Sequence, residues 1–176
     1  LTIIECIGFV YVKVNKLDSE FQRFISDAPV YYLFGDKFSN KDSWKVDEII
    51  YMNLSLEDYP VKNLNGLDKF TSLQGISIEG YNGEDGYGNT HEEKKKEKEK
   101  TVKSPHNLEQ INKLKNVKNL NLAYLDLTHV NLEPVVKHCE NINFNNVKIK
   151  SFDIFKDCNE EYVQVTIKNC TVDTVD

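Results

Sequence analysis

The sequence predicts an α/β architecture of stacked repeats, with short parallel strands on one side and short helical or 3₁₀ segments on the other. Three observations lead there. Apolar residues at Leu120, Leu122, Leu125 and Leu127 recur 22 residues later at Ile142, Phe144, Val147 and Ile149. The pattern continues outside this pair, upstream at Leu54, Leu56, Tyr59 and Val61 and again at Ile76, Ile78 and Tyr81, and downstream at Val165, Ile167, Cys170 and Val172. Between strand-like pairs, Leu108, Ile111, Leu114 and Val117 stand three apart, a spacing that suits a helix or a 3₁₀ run on the outer side. A fixed period near this length marks units that cannot bury their apolar face alone and so must stack on one another.

Whole-chain numbers bound the function. A chain of 176 residues is one ordinary domain or a short repeat stack. Hydrophobic content of 40% and charged content of 28% are globular. A net charge of −6 argues against nucleic acid as a partner, because phosphate neutralisation needs a clustered basic surface. No transmembrane segment is expected, since the apolar run Ile7–Val12 is far below the ~20 residues a span requires. Glu5 and Lys13 bracket it and no small-residue cleavage site follows, so it reads poorly as a signal peptide. The first residue is Leu1 rather than Met, which suggests an upstream piece removed; the compartment stays open, the cytoplasm ahead of export. Cys6, Cys139, Cys158 and Cys170 form no CxxC pair and are expected as buried free thiols. A Cys139–Cys158 or Cys158–Cys170 bridge is the alternative for an exported chain.

Taken in order, residues 1–16 are rich in Ile and Val and read as a strand. Ser19 and Gln22 stand at capping-box spacing before a helix with an apolar face of Phe21, Phe24 and Ile25. Pro29 ends that helix, and Val30–Phe34 is a second strand candidate. Residues 1–45 are expected to form an N-terminal cap over the open core of the first repeat. Because Tyr32 lies 22 residues before Leu54, one or two irregular repeats are the alternative. Residues 46–176 hold the repeats. The strand due near residue 98 meets HEEKKKEKEKT, so the 44 residues from Ile76 to Leu120 contain one repeat with a long insertion. Asn82–Ser104 is that insertion, charged and expected to be a flexible rim loop or a contact arm. The last repeat, Val165 to Val172, looks truncated or left to a missing cap.

The segments VKNLNLAYLDL, CENINFNNVKI and VQVTIKNCTV follow LxxLxLxx(N)xL and resemble the leucine-rich repeat family. LNGLDKFTSLQGISI is similar to its short 22-residue class, and the tail KSFDIFKDCNEEYVQVTIKNCTV is partly similar to a class with an F-x-x-C turn. The resemblance covers about residues 50–176 and implies a right-handed leucine-rich repeat solenoid with a parallel concave β-sheet and short helical or 3₁₀ convex segments. It departs at the strand exits, where Tyr59, Tyr81, Leu125, Val147 and Cys170 stand in place of the family's Asn. Turns closed irregularly, by other backbone contacts or water, are therefore expected.

Side chains alternate along a strand, so inward Leu120 and Leu122 leave Asn119, Asn121 and Ala123 outward. The expected outward sets are Asn53, Ser55 and Glu57; Gly75, Ser77 and Glu79; Asn141, Asn143 and Asn145; and Gln164, Thr166 and Lys168. Stacking puts Asn119 beside Asn141 and Asn121 beside Asn143, an amide-lined concave face that can donate to and accept from a protein or peptide. That face lacks the Trp, Tyr and Arg that dominate binding hot spots. Glu57 and Glu79 are its adjacent carboxylates, without the cleft that acid–base catalysis needs. His91, His106, His129 and His138 complete no metal spacing, GEDGYG opens no apolar helix, and Trp44 reads as a core aromatic. The expectation is a non-enzymatic protein–protein interaction module without cofactor or metal. Its rival is a structural or regulatory subunit of a larger assembly, contacting neighbours through its ends or the 82–104 insertion.

Overall fold

A computed structural model describes residues 11–13, 17–27, 43–46, 49–80, 104–158 and 162–173. Strands β1 (Tyr11–Lys13) and β2 (Ser43–Lys45) pair antiparallel, and helix α1 (Ser19–Asp27) lies between them in the chain. Five strands then pair in parallel in chain order: β3 (Tyr51–Ser55), β4 (Gly75–Glu79), β5 (Asn119–Ala123), β6 (Asn141–Asn145) and β8 (Gln164–Lys168). The two-residue strands β7 (Lys148–Ile149) and β9 (Thr171–Val172) make a second, short parallel ladder. Returns between strands run through 3₁₀ helices at Leu67–Lys69, Leu108–Lys113 and Phe152–Phe155 and through the one-turn helix α2 (Glu133–Val136), each packed on the next. The chain is thus α/β, with a five-stranded parallel sheet and few helices. The three-residue spacing from Leu108 to Leu114 is resolved as 3₁₀.

The alternation that defines the strands is a burial alternation. Met52 and Leu54, Ile76 and Ile78, Leu120 and Leu122, and Ile142 and Phe144 are buried and face one another across successive strands. The 22-residue step from β5 to β6 and the 23-residue step from β6 to β8 are those the sequence predicts, and β4 pairs directly with β5 across the long intervening segment. The first step differs. Leu54 pairs with Ile78, and it is Met52 that pairs with Ile76, so this step is 24 residues rather than 22. A slip of two residues preserves the in–out alternation, which is why hydrophobic periodicity cannot detect it. Leu56 then leaves the strand, and its N–H donates to Glu79 O at 2.8 Å.

The strand ends close with regular backbone contacts, not the irregular turns expected. The N–H groups of Leu56, Gly80, Tyr124 and Asn146 each donate to the last residue of the next strand, at 2.8, 2.8, 3.0 and 2.8 Å. Tyr124, Asn146 and Asn169 hold the same left-handed conformation, φ 53° in each. At strand entry, the carbonyls of Ile50, Gln74 and Lys118 each accept two consecutive N–H groups from the following strand, at 2.7–3.1 Å. Backbone thereby satisfies what the missing amides cannot. Gly80 sits in the tightest place: a Cβ there would lie 2.1 Å from Tyr124 O.

At the N-terminal side, Asp18 rather than Ser19 caps α1, its Oδ1 accepting from Glu20 N at 3.0 Å and Phe21 N at 3.4 Å, while Gln22 Nε2 turns to Leu17 O. An aspartate one residue earlier reaches the same orphan N–H groups with a charged acceptor. Phe21, Phe24 and Ile25 are buried, as the helical spacing predicts. Phe21 stacks on Phe70 at 5.8 Å and Phe24 meets Tyr59 edge-on at 5.4 Å, so α1 shares one continuous core with the sheet. The Val30–Phe34 strand candidate, Cys6, His91 and residues 82–103 of the insertion lie outside the described residues. At the other end, Val165 and Ile167 of β8 are each 39% exposed although their partners Ile142 and Phe144 are buried. Phe152 and Tyr162 are exposed nearby in the chain.

Two glycine substitutions should separate backbone from side-chain crowding. Gly80→Ala drives a methyl into the Tyr124 carbonyl and should destabilise by about 1–3 kcal/mol, the usual range for overpacking. Gly75→Ala meets only the movable Tyr51 ring, at 2.5 Å, and should shift the unfolding midpoint little. Urea denaturation of both variants checks this.

Candidate functional site

The parallel register arranges the outward side chains of the sheet in three rows. The entry row is Tyr51, Gly75, Asn119, Asn141 and Gln164; the middle row is Asn53, Ser77, Asn121, Asn143 and Thr166; the exit row is Ser55, Glu79, Ala123, Asn145 and Lys168. Neighbours within a row stand ~4.8 Å apart. Asn119 lies beside Asn141, Asn121 beside Asn143 and Asn145 beside Lys168.

Two corrections follow from the register of β3. Glu57 stands in the turn beyond the strand, so Glu79 has Ser55 beside it and the expected pair of carboxylates is not formed on this face. Tyr51 takes the place beside Gly75, and with 43% exposure it puts an aromatic on a face expected to have none. Tyr51 begins YMNLS, an alternating run; moving the strand start from Asn53 to Tyr51 was the available signal, and the 22-residue period concealed it.

Hydrogen bonding divides the rows. Asn141 Nδ2 donates to Asn119 Oδ1 at 2.9 Å, and Asn145 Oδ1 accepts from Asn146 Nδ2 at 3.0 Å. Ser55 Oγ accepts weakly from Asp58 N at 3.3 Å. The middle-row side chains Asn53, Ser77, Asn121, Asn143 and Thr166 make no hydrogen bond to other described residues, so their donors and acceptors stay available to a partner. Charge is sparse: the entry and middle rows carry none, and the exit row carries Glu79 and Lys168. Lys118 and Glu140, which pair at 3.2 Å, precede β5 and β6 just outside the entry row.

The face is not flat. A hollow of about 460 Å³ opens between β3, β4 and β5, lined by Tyr51, Asn53, Gly75, Ser77, Asn119 and Asn121 with the edges of Met52 and Ile76 beneath. A second hollow of about 450 Å³ lies away from this face, between the Leu127–Glu133 and Ile149–Ile154 returns. Among the described residues, no three His, Cys, Asp or Glu side chains cluster as metal ligands, and no helix is long and apolar enough to cross a membrane. His138 Nε2 lies 3.3 Å from Leu114 O, and His106 and His129 are exposed.

Cys139, Cys158 and Cys170 are free thiols. Cys139 is buried, its Sγ 3.3 Å from Val135 O, and burial pushes its pKa up to about 12. Burial also raises that of Cys158, whose Sγ lies 3.7 Å from Val136 O. No family model matches the chain, and no curated protein matches it.

A thiol ionising near 12 is protonated through the neutral range, and the thiolate is the reactive form. Cys139 should therefore be the slowest of the three described cysteines to be alkylated by iodoacetamide at pH 8, and should react fully only after denaturation. Peptide mass spectrometry of timed samples measures this.

Proposed function

We propose that the chain is a leucine-rich repeat solenoid that binds a protein or peptide partner across its polar, concave sheet face, without catalysis. The observation carrying this reading is the middle row, where five uncharged polar side chains in register keep their hydrogen-bonding capacity unspent. The periodic register, the parallel sheet in chain order and the 3₁₀ returns support the repeat assignment. In this reading residues 1–45 are the cap: α1 places Phe21, Phe24 and Ile25 over the first unit's core, where an uncovered apolar end would otherwise face water. The net charge of −6 favours a partner that is not nucleic acid.

One observation favours a second reading, a structural or regulatory part of a larger assembly that contacts neighbours through its end. Val165, Ile167, Phe152 and Tyr162 are exposed at the β8 side, where a contact would bury them.

Affinity capture from the native source separates the two. Asn121→Arg with Asn143→Arg places two bulky cations in the middle row and should weaken partner affinity at least tenfold, while Ile167→Lys leaves it unchanged. The reverse result would assign binding to the β8 end, and an unaltered partner set in both variants would remove both surfaces.

A further inference from the structure

We propose that the Tyr51–Gly75 hollow anchors a proline-rich peptide segment in the polyproline II conformation, with a basic residue of that segment directed at Glu79. The inference rests on the sheet-face reading above and names the class of ligand.

The anchor is an aromatic set beside a residue that has no side chain. A Cβ on Gly75 would lie 2.5 Å from Tyr51 Cδ1 and 2.6 Å from Cε1, so this edge of the ring occupies the space that a side chain at position 75 would need. The ring is 43% exposed and borders the hollow of about 460 Å³, which is within the size range of ligand pockets. Glycine weakens a strand interior and often marks close approach of another group. Here it makes the space that the edge of the Tyr51 ring enters.

The walls choose the ligand's chemistry. Asn53, Ser77, Asn119 and Asn121 carry no charge and offer amide and hydroxyl donors beside an aromatic surface. The part of a matching ligand that sits in the hollow is uncharged, has an apolar ring to meet Tyr51 and has carbonyls that are not already bonded. A polyproline II segment meets all three conditions, having no internal hydrogen bonds and little ordering entropy left to lose.

Spacing favours the same answer. Alternate strands of a sheet are ~9.6 Å apart. One polyproline II turn of three residues advances about 9.3 Å, so its equivalent positions meet alternate strands, here at Asn53, Asn121 and Thr166. An extended β-peptide repeats every ~6.8 Å and falls between strands at its first repeat. Charge sets the direction: Glu79 on β4 and Lys168 on β8 are three strand steps apart, ~14 Å, with Ala123 and Asn145 between them. A cation on the peptide is favoured at the Glu79 side and an anion at the Lys168 side.

The test titrates the full chain with an amidated peptide of one lysine and eight prolines, followed by amide chemical shifts. Parallel titrations use the same peptide with glutamate for lysine, a lysine-led Gly-Ser peptide of equal length, and cellohexaose. The proposal expects shifts at β3–β5 with the lysine–proline peptide and at least tenfold weaker binding in both Tyr51→Ala and Gly75→Ala. Gly75→Ala retains the tyrosine and moves only its ring. Tyr51→Phe keeps the affinity, and Glu79→Lys reverses the preference between lysine and glutamate peptides. Absence of shifts at millimolar peptide, binding indifferent to Tyr51→Ala, or perturbation of the hollow by cellohexaose in place of the peptide each overturns it. If the peptide fails while Asn121→Arg with Asn143→Arg still releases captured partners, only the proline-rich assignment falls. If that double variant releases nothing, the face reading falls and this inference with it.

Discussion

The repeated pair of backbone contacts at each strand boundary is the constraint on which the rest of the structure depends. At entry one carbonyl receives two N–H groups from the next strand; at exit one N–H reaches the next strand's last carbonyl. A net backbone hydrogen bond contributes only ~0.5–1.5 kcal/mol, whereas burying a Leu, Ile or Phe side chain contributes ~1.5–3 kcal/mol. Apolar burial therefore supplies most of the stability, and the ladder supplies alignment. It keeps Leu54, Ile78, Leu122 and Phe144 in one line, where each covers the next. A strand misaligned by one residue would turn two such residues outward.

The same alignment relieves the outward face of structural duty. Once backbone and core have fixed the strands, the middle-row side chains have no bonds to make with other described residues, and their polarity keeps them solvated. Tyr51 is the exception. Its ring needs a neighbour without a side chain, and the parallel register delivers Gly75 to that place. In the binding role proposed for it, an aromatic confined beside Gly75 has fewer conformations to lose than one free in solvent.

The two ends of the sheet have unlike chemistry. On the β3 side, Phe21, Phe24, Phe70 and Tyr59 interlock around α1, with Arg23 over the Tyr59 ring at 4.4 Å and paired to Glu20 at 2.7 Å. On the β8 side Val165 and Ile167 are left half-open, and the ring contact near this side is Phe155 tilted against Phe144 at 5.6 Å. Exposed apolar side chains therefore gather at the β8 side, while the broad face carries mainly uncharged polar ones.

From its sequence alone the chain determined the helix over Phe21–Ile25, the strands β4, β5, β6 and β8, the 22- and 23-residue steps, the long segment between Ile76 and Leu120, and the outward Asn residues of β5 and β6. All of these are local consequences of alternation and period, which a linear chain displays. The tertiary structure alone decided the offset of β3, because a two-residue slip leaves the alternation intact and only cross-strand hydrogen bonds distinguish the registers. That single offset removed Glu57 from the face, placed Tyr51 on Gly75 and opened the hollow beside them. It also decided the turns. Tyr124, Asn146 and Asn169 adopt one left-handed geometry; asparagine favours it, whereas Tyr124 takes it where its N–H reaches Asn145 O on the neighbouring strand.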